Sequence, residues 1–293
     1  MADILALVLK HNSAQTQGLK NFSFTSGTGW NTSPCMIVGE RCGIKTSLLF
    51  LAAVTAASEL GVKVLFLTPT PIQKLPAPLQ DSLANLNPDG LKKIKFMYPR
   101  SQEELLQDVA SLHESACGSA APPSLLIVDG LERYLGRGRG RARGGAWRQP
   151  AGDGWLAVAH ISALLVDTAA FLGRKLEERG GAGASCRVLV SFDTERQGHA
   201  PGELPAQDPV LSVLDRYFPV RATLDRDRSA AAPGTAGEPG AVWQVYFSGV
   251  GVTAGHAPGK GEGPNPGLQW RLAICQNGAM EFSLVSGENQ AKQ

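Results

Sequence analysis

The sequence contains no Cys-x-x-Cys pair and no two histidines at metal-ligand spacing. Its five cysteines, Cys35, Cys42, Cys117, Cys186 and Cys275, are scattered and odd in number. They read as buried, reduced thiols of a cytosolic or nuclear protein, and no zinc site is expected. Charge is scarce as well: charged residues make up 18% of the chain against 43% hydrophobic ones, which excludes global disorder. No apolar run approaches the roughly 20 residues that a membrane helix needs, so no membrane span is expected. The first ten residues hold an early acid, Asp3, and too short an apolar run for a secretory signal.

One stretch lacks acid altogether. Between Gly136 and Gly152 there is no Asp or Glu, yet Arg137, Arg139, Arg141, Arg143 and Arg148 all lie there. The whole chain has 28 basic and 26 acidic residues, a net charge of +2. Without those five arginines the balance is 23 against 26, so all the net positive charge sits in one place.

Gly (34) and Pro (19) are abundant and cluster at 136–154, 180–184, 198–205, 229–240 and 249–267, which read as long loops of one domain. The expected organisation is an extension over 1–33, a core over 34–286 and a disordered tail over 287–293. Apolar segments between the loops alternate in type. Cys35–Val38, Val64–Thr68, Lys93–Tyr98, Ser124–Asp129 and Arg187–Phe192 read as strands. Lys45–Leu60 reads as a helix stopped by Gly61, and Ser101 with Glu104 as a capping box opening a helix to about Glu114. Trp155–Leu176 places Trp155, Val158, Ile161, Leu165 and Leu172 on one helical face, and Pro209–Tyr217 is a short helix. Val242–Phe247, Leu268–Ile274 and Met280–Val285 read as antiparallel strands, the last two joined by a turn at Asn277-Gly278. Alternating strands and helices with unbroken apolar strands predict a parallel sheet covered on both faces, with chemistry at the strands' carboxyl ends.

Two segments suit a nucleotide there. Gly39-Glu-Arg-Cys-Gly43-Ile-Lys45-Thr46 follows a strand and opens a helix, as a G-x-x-x-x-G-K-[ST] loop does. Lys45 is expected to reach the β- and γ-phosphates of ATP, Thr46 to hold magnesium, and backbone N–H groups near Gly39 and Gly43 to cradle phosphate. Ile44 stands where the pattern has its second glycine, and its bulk is expected to hinder phosphate approach. Ser124-Leu-Leu-Ile-Val-Asp129 has the Walker B form, with Asp129 expected to hold magnesium beside Thr46. The bland alternatives are an ordinary strand-to-helix turn with a surface lysine, and a buried strand that ends in Asp. No acid occurs in Phe66–Pro71, after the second strand, where a hydrolytic base is expected. Glu132 reads as a solvated surface residue. Any ATPase activity is therefore expected to be slow or to depend on another subunit, and a small-molecule kinase is disfavoured.

In this order the segments resemble the RecA-like core of the eukaryotic recombinase paralogues. More closely they resemble the SWIM-type zinc-finger-associated ATPases, Shu-complex subunits of homologous recombination. The matching segments are Val64–Thr68, Leu91–Pro99, Ser124–Leu135, Ile161–Ala170, Arg216–Pro219 and the hairpin around Trp270, spanning roughly 35 to 285. The resemblance implies an α/β RecA-like P-loop NTPase core, a mostly parallel sheet with helices on both faces and an antiparallel C-terminal hairpin. It implies a nuclear DNA-repair mediator that binds single-stranded DNA, pairs with a SWIM-type zinc-finger protein as a heterodimer, and supports filaments of a RecA-like recombinase. A non-catalytic scaffold with a relict P-loop is the alternative. In such cores one DNA loop follows the Walker B strand, here about Gly136–Gly154, and a second maps to about Asp193–Ala206. The five arginines would pair with DNA phosphates and Trp147 would stack on a base. An import signal and a solvated insertion remain competing readings of the tract. Trp155 is expected in the core.

Overall fold

The computed structural model describes residues 4–5, 7–8, 33–73, 88–118, 121–135, 153–180, 184–194, 208–227, 241–249, 269–274 and 280–285. A strand that is apolar at every position needs cover on both faces. Strands β2 (Val64–Leu67) and β4 (Leu125–Val128) are of this kind, and every residue in them is buried. They join β1 (Cys35–Glu40), β3 (Ile94–Met97), β5 (Arg187–Thr194), β6 (Val220–Asp227), β7 (Ala241–Gly249), β8 (Gln269–Ile274) and β9 (Met280–Leu284) in one sheet. Its order is β3-β2-β4-β5-β1-β6-β7-β8-β9. Pairing is parallel from β3 to β6 and antiparallel from β6 to β9. This is the expected α/β architecture, a mostly parallel sheet with a core on each face. The antiparallel part is larger than the expected hairpin, because β6 pairs with β1 on one side and β7 on the other. The sequence reading omits β6, whose Arg221, Thr223, Asp225, Arg226 and Asp227 dilute its apolar signal.

Side chains alternate across the sheet, which divides the core in two. Leu125 and Ile127 of β4 face one cluster while Leu126 and Val128 face the other. The first cluster holds helix α1 (Ile44–Ser58), buried almost all round, together with the inward residues of β6 to β8. Phe50 packs there against Phe66 and Phe96, ring centroids 6.3 and 5.9 Å away, and Phe50 and Ala53 are both buried. Ile4, Leu5 and Val8, within the stretch read as an extension, are helical and buried in the same cluster. The chain leaves α1 through Gly61 at φ +64°, whose following N–H (Val62) bonds the Ala56 carbonyl at 3.2 Å.

The second cluster holds α2 (Gln102–Cys117), α3 (Asp153–Glu178) and α4 (Pro209–Tyr217). Ser101 caps α2 as predicted, its hydroxyl accepting from the Glu104 N–H at 3.2 Å. By length and apolarity α3 meets the criteria for a membrane-crossing helix, criteria that the core helix of a folded domain also meets. Its Val158, Ile161, Leu165 and Leu172 are nonetheless buried against the sheet and its neighbouring helices. Trp155 is the exception on that face. It is 44% exposed, because it sits in the first turn, ahead of the sheet-packed stretch. The turn at Asn277-Gly278, the tail 287–293 and most of the long loops lie outside the described residues.

Gly39 marks a close approach between β1 and β6. It pairs with Asp193 on one side and Leu224 on the other, and a Cβ there would lie 2.6 Å from the Leu224 carbonyl oxygen. A Cβ on Gly43 would meet nothing within 4 Å. Gly39→Ala is expected to lower unfolding stability by about 1–3 kcal/mol through overpacking. Gly43→Ala should cost less than about 1 kcal/mol. Urea unfolding of the two variants measures both.

Candidate nucleotide site

Strand order sets the carboxyl ends of β4, β5 and β1 side by side, the place where open α/β sheets hold ligands. Between β1 and α1 only Arg41, Cys42 and Gly43 turn the chain. Strand β1 continues through Gly39 and Glu40, which pair with Asp193 and Thr194 of β5. Gly43 is the N-cap of α1, and no side chain caps that helix, so its first-turn N–H groups have no side-chain competitor for an anion.

Lys45 lies in the first turn of α1 and is 2% exposed. Its ammonium donates to the Gly39 carbonyl at 3.1 Å and to the Glu40 carbonyl. It also pairs with the Asp193 carboxylate at 2.9 Å. A surface-lysine reading is therefore wrong.

Thr46 points to the neighbouring strands. Its hydroxyl donates to the Asp129 carboxylate, with Oγ1 lying 2.9 and 3.1 Å from the two oxygens. Asp129 also accepts from the Ser191 hydroxyl at 2.9 Å, and Ser191 accepts from the Gly130 N–H at 2.8 Å. Gly130 is left-handed at φ +74°, the backbone state that lets the chain leave β4 for the turn Leu131–Tyr134. These residues border a cleft of about 290 Å³, lined by Gly43, Lys45, Thr46 and Asp129 of the expected set. Arg41, Glu132, Arg133, Ser191 and Asp193, which sequence reasoning did not select, also line it.

The placement of Glu132 corrects the expectation of a solvated side chain. It accepts the Asp193 N–H at 2.9 Å, and its side chain is 20% exposed. Burial is the main cause that raises its pKa above the usual carboxylate range; the Asp193 N–H opposes this and the Asp193 charge adds to it. Ser191 and Asp193 had a faint sequence signal, being polar residues two apart at the end of an apolar strand. The Tyr134 hydroxyl donates to the Pro99 carbonyl at 3.2 Å, which ties together two segments that carry the family resemblance.

Ile44 has its place in the core. It does not line the cleft; it is 9% exposed and belongs to the core cluster around α1. Its side chain packs in the core rather than along the cleft. Cys35 and Cys186 are buried, which pushes both thiols up to about 12, whereas Cys117 is exposed and Cys42 half-buried, against the reading of all as buried. Arg137, Arg139, Arg141, Arg143, Trp147 and Arg148 lie outside the described residues.

The donor set suits magnesium with a triphosphate. A hydroxyl and a carboxylate in contact, beside a lysine, match an ion that keeps several waters and takes few protein ligands. Among the described residues there is no cluster of three His, Cys, Asp or Glu side chains able to hold a metal without such help.

Ile44→Gly removes a buried side chain and adds backbone freedom, so a loss of about 2–4 kcal/mol in unfolding stability is expected. Chemical denaturation measures that loss, and a parallel ATP titration should show no gain in affinity.

No family model matches the chain. A crystal structure of the RadB recombinase superposes with a TM-score of 0.49 at 14% identity, covering 85% of this chain and 90% of that one. Mouse ATPase SWSAP1 is 37% identical over 194 residues, which are 66% of this chain and 59% of the mouse protein. Human ATPase SWSAP1 is 35% identical over 253 residues, which are 80% of this chain and 97% of the human protein. Identity at that level across nearly the whole human relative places the chain in the ATPase SWSAP1 family.

Proposed function

We propose that the chain binds ATP with magnesium, hydrolyses it slowly, and serves homologous recombination in the nucleus. In this reading it binds single-stranded DNA and acts with a SWIM-type zinc-finger protein to support filaments of a RecA-like recombinase. The observation that carries the nucleotide half is the contact between the Thr46 hydroxyl and the Asp129 carboxylate, with Lys45 in the same cleft. Two residues 83 positions apart in the chain meet in the geometry that a P-loop and a Walker B strand need. Membership of a family whose relatives are named ATPases supports the same reading.

The DNA and partner half rests on sequence. The arginine tract follows the strand that ends in Asp129, where the resemblance places a DNA loop. The scaffold reading has its own support: no acid follows β2, and Lys45 is already engaged.

Titration with a fluorescent ATP analogue separates the two readings. Binding should require magnesium, and Lys45→Ala or Asp129→Ala should weaken it by at least about tenfold, the factor that 1.4 kcal/mol represents. No affinity in the unsubstituted chain, with a stable partner complex, would establish the scaffold instead. For DNA, replacing the five arginines by Ala should flatten the log affinity against log salt slope by up to about 3.5 on single strands. An unchanged slope in filter binding removes the loop from the DNA site.

A further inference from the structure

We propose that Asp193 is a positioning residue that controls phosphate access to Lys45, so that ATP must displace its carboxylate before the lysine can engage phosphate. This rests on the nucleotide-site reading above.

A lysine ammonium has three N–H donors and no more. The Gly39 carbonyl, the Glu40 carbonyl and the Asp193 carboxylate supply an oxygen for each. No donor remains for a phosphate oxygen until one of the three lets go. The two carbonyls belong to β1, which is hydrogen-bonded to β5 on one side and to β6 on the other. Displacing them would break the centre of the sheet. The Asp193 carboxylate sits on a side chain at the end of β5, 17% exposed and lining the cleft. It is the partner free to leave by a side-chain rotation.

Asp193 also acts on the phosphates directly. Its carboxylate stands in the cleft with those of Asp129 and Glu132, and like charges repel a triphosphate. Arg41 and Arg133 line the same cleft and offset part of that repulsion. Glu132 restrains the arrangement by accepting the Asp193 N–H at 2.9 Å, which fixes the strand end that carries the carboxylate. The lining thus sets three acids against three cations, and release of Lys45 from Asp193 gives phosphate a cation to meet.

The test compares ATP affinity, with magnesium, of the unsubstituted chain, Asp193→Asn, Asp193→Glu and Lys45→Ala, each checked for folding by circular dichroism. Asp193→Asn should bind about tenfold tighter, as expected when a competing state that holds some nine-tenths of the molecules is removed. Asp193→Glu keeps the charge and should bring affinity back toward the unsubstituted value. Adenosine, which has no phosphate, should bind both chains equally; a general loosening of the fold would alter its affinity as well. Glu132→Ala, which frees the strand end, should move ATP affinity in the same direction by a smaller factor and serves if Asp193→Asn does not fold. Equal or weaker ATP binding by Asp193→Asn, with the unsubstituted chain binding in a Lys45-dependent way, overturns the proposal alone. No binding by any folded variant overturns the nucleotide reading and this inference together.

Discussion

The buried ammonium of Lys45 is the constraint around which the centre of the sheet is arranged. An isolated charge taken out of water costs several kcal/mol, and only close, well-directed oxygens offset it. Here those oxygens come from three successive features of the strands. Strand β1 must stay in the sheet through Glu40 so that its last two carbonyls turn toward the lysine. Gly39 must lack a side chain, because β6 comes too close for a Cβ. Strand β5 must run past its apolar stretch to deliver Asp193. Each is a feature of the backbone that a generic parallel sheet would not require.

The neighbouring residue, Thr46, organises the other half of the cleft. Its bond to Asp129 crosses from α1 to the end of β4, and β5 lies between them. Strand β5 fills that gap with Ser191, which donates to Asp129 and accepts from Gly130. Every member of this chain of bonds has its partner, and a satisfied buried network holds its geometry more firmly than single contacts do. The site is thus set before any ligand arrives, by strand order and by alternation along β5.

Much of this was legible in the sequence, and the limits have physical reasons. The P-loop helix, the Walker B strand and the capped α2 announce themselves through local signals: spacing, an apolar run, a Ser-x-x-Glu. Strand β6 escaped because its outward half is charged, which reads as a loop unless the pairing with β1 and β7 is known. Trp155 was misplaced because a helical face predicts burial only where something packs on it. The core placement of Ile44 was not legible, because a motif position does not say which way a side chain points. Glu132 and Asp193 become site residues only through contacts made across 61 positions of chain. Sequence spacing has no access to such contacts.

The three acids of the cleft bear on what the site does. Asp129 accepts from Thr46 and Ser191, Glu132 accepts from Asp193, and Asp193 is paired with Lys45. A carboxylate can orient a water for attack on phosphate only if a lone pair is free and aimed at that water. After β2, where the resemblance would place a base, Thr68 and Thr70 bond to each other through the Thr68 hydroxyl, and Arg133 donates to Thr70. As built, the cleft is equipped to hold a nucleotide before it is equipped to cleave one. Each of these carboxylates keeps lone pairs beyond the bonds it accepts, so what the cleft lacks is an acid after β2 rather than acceptor capacity.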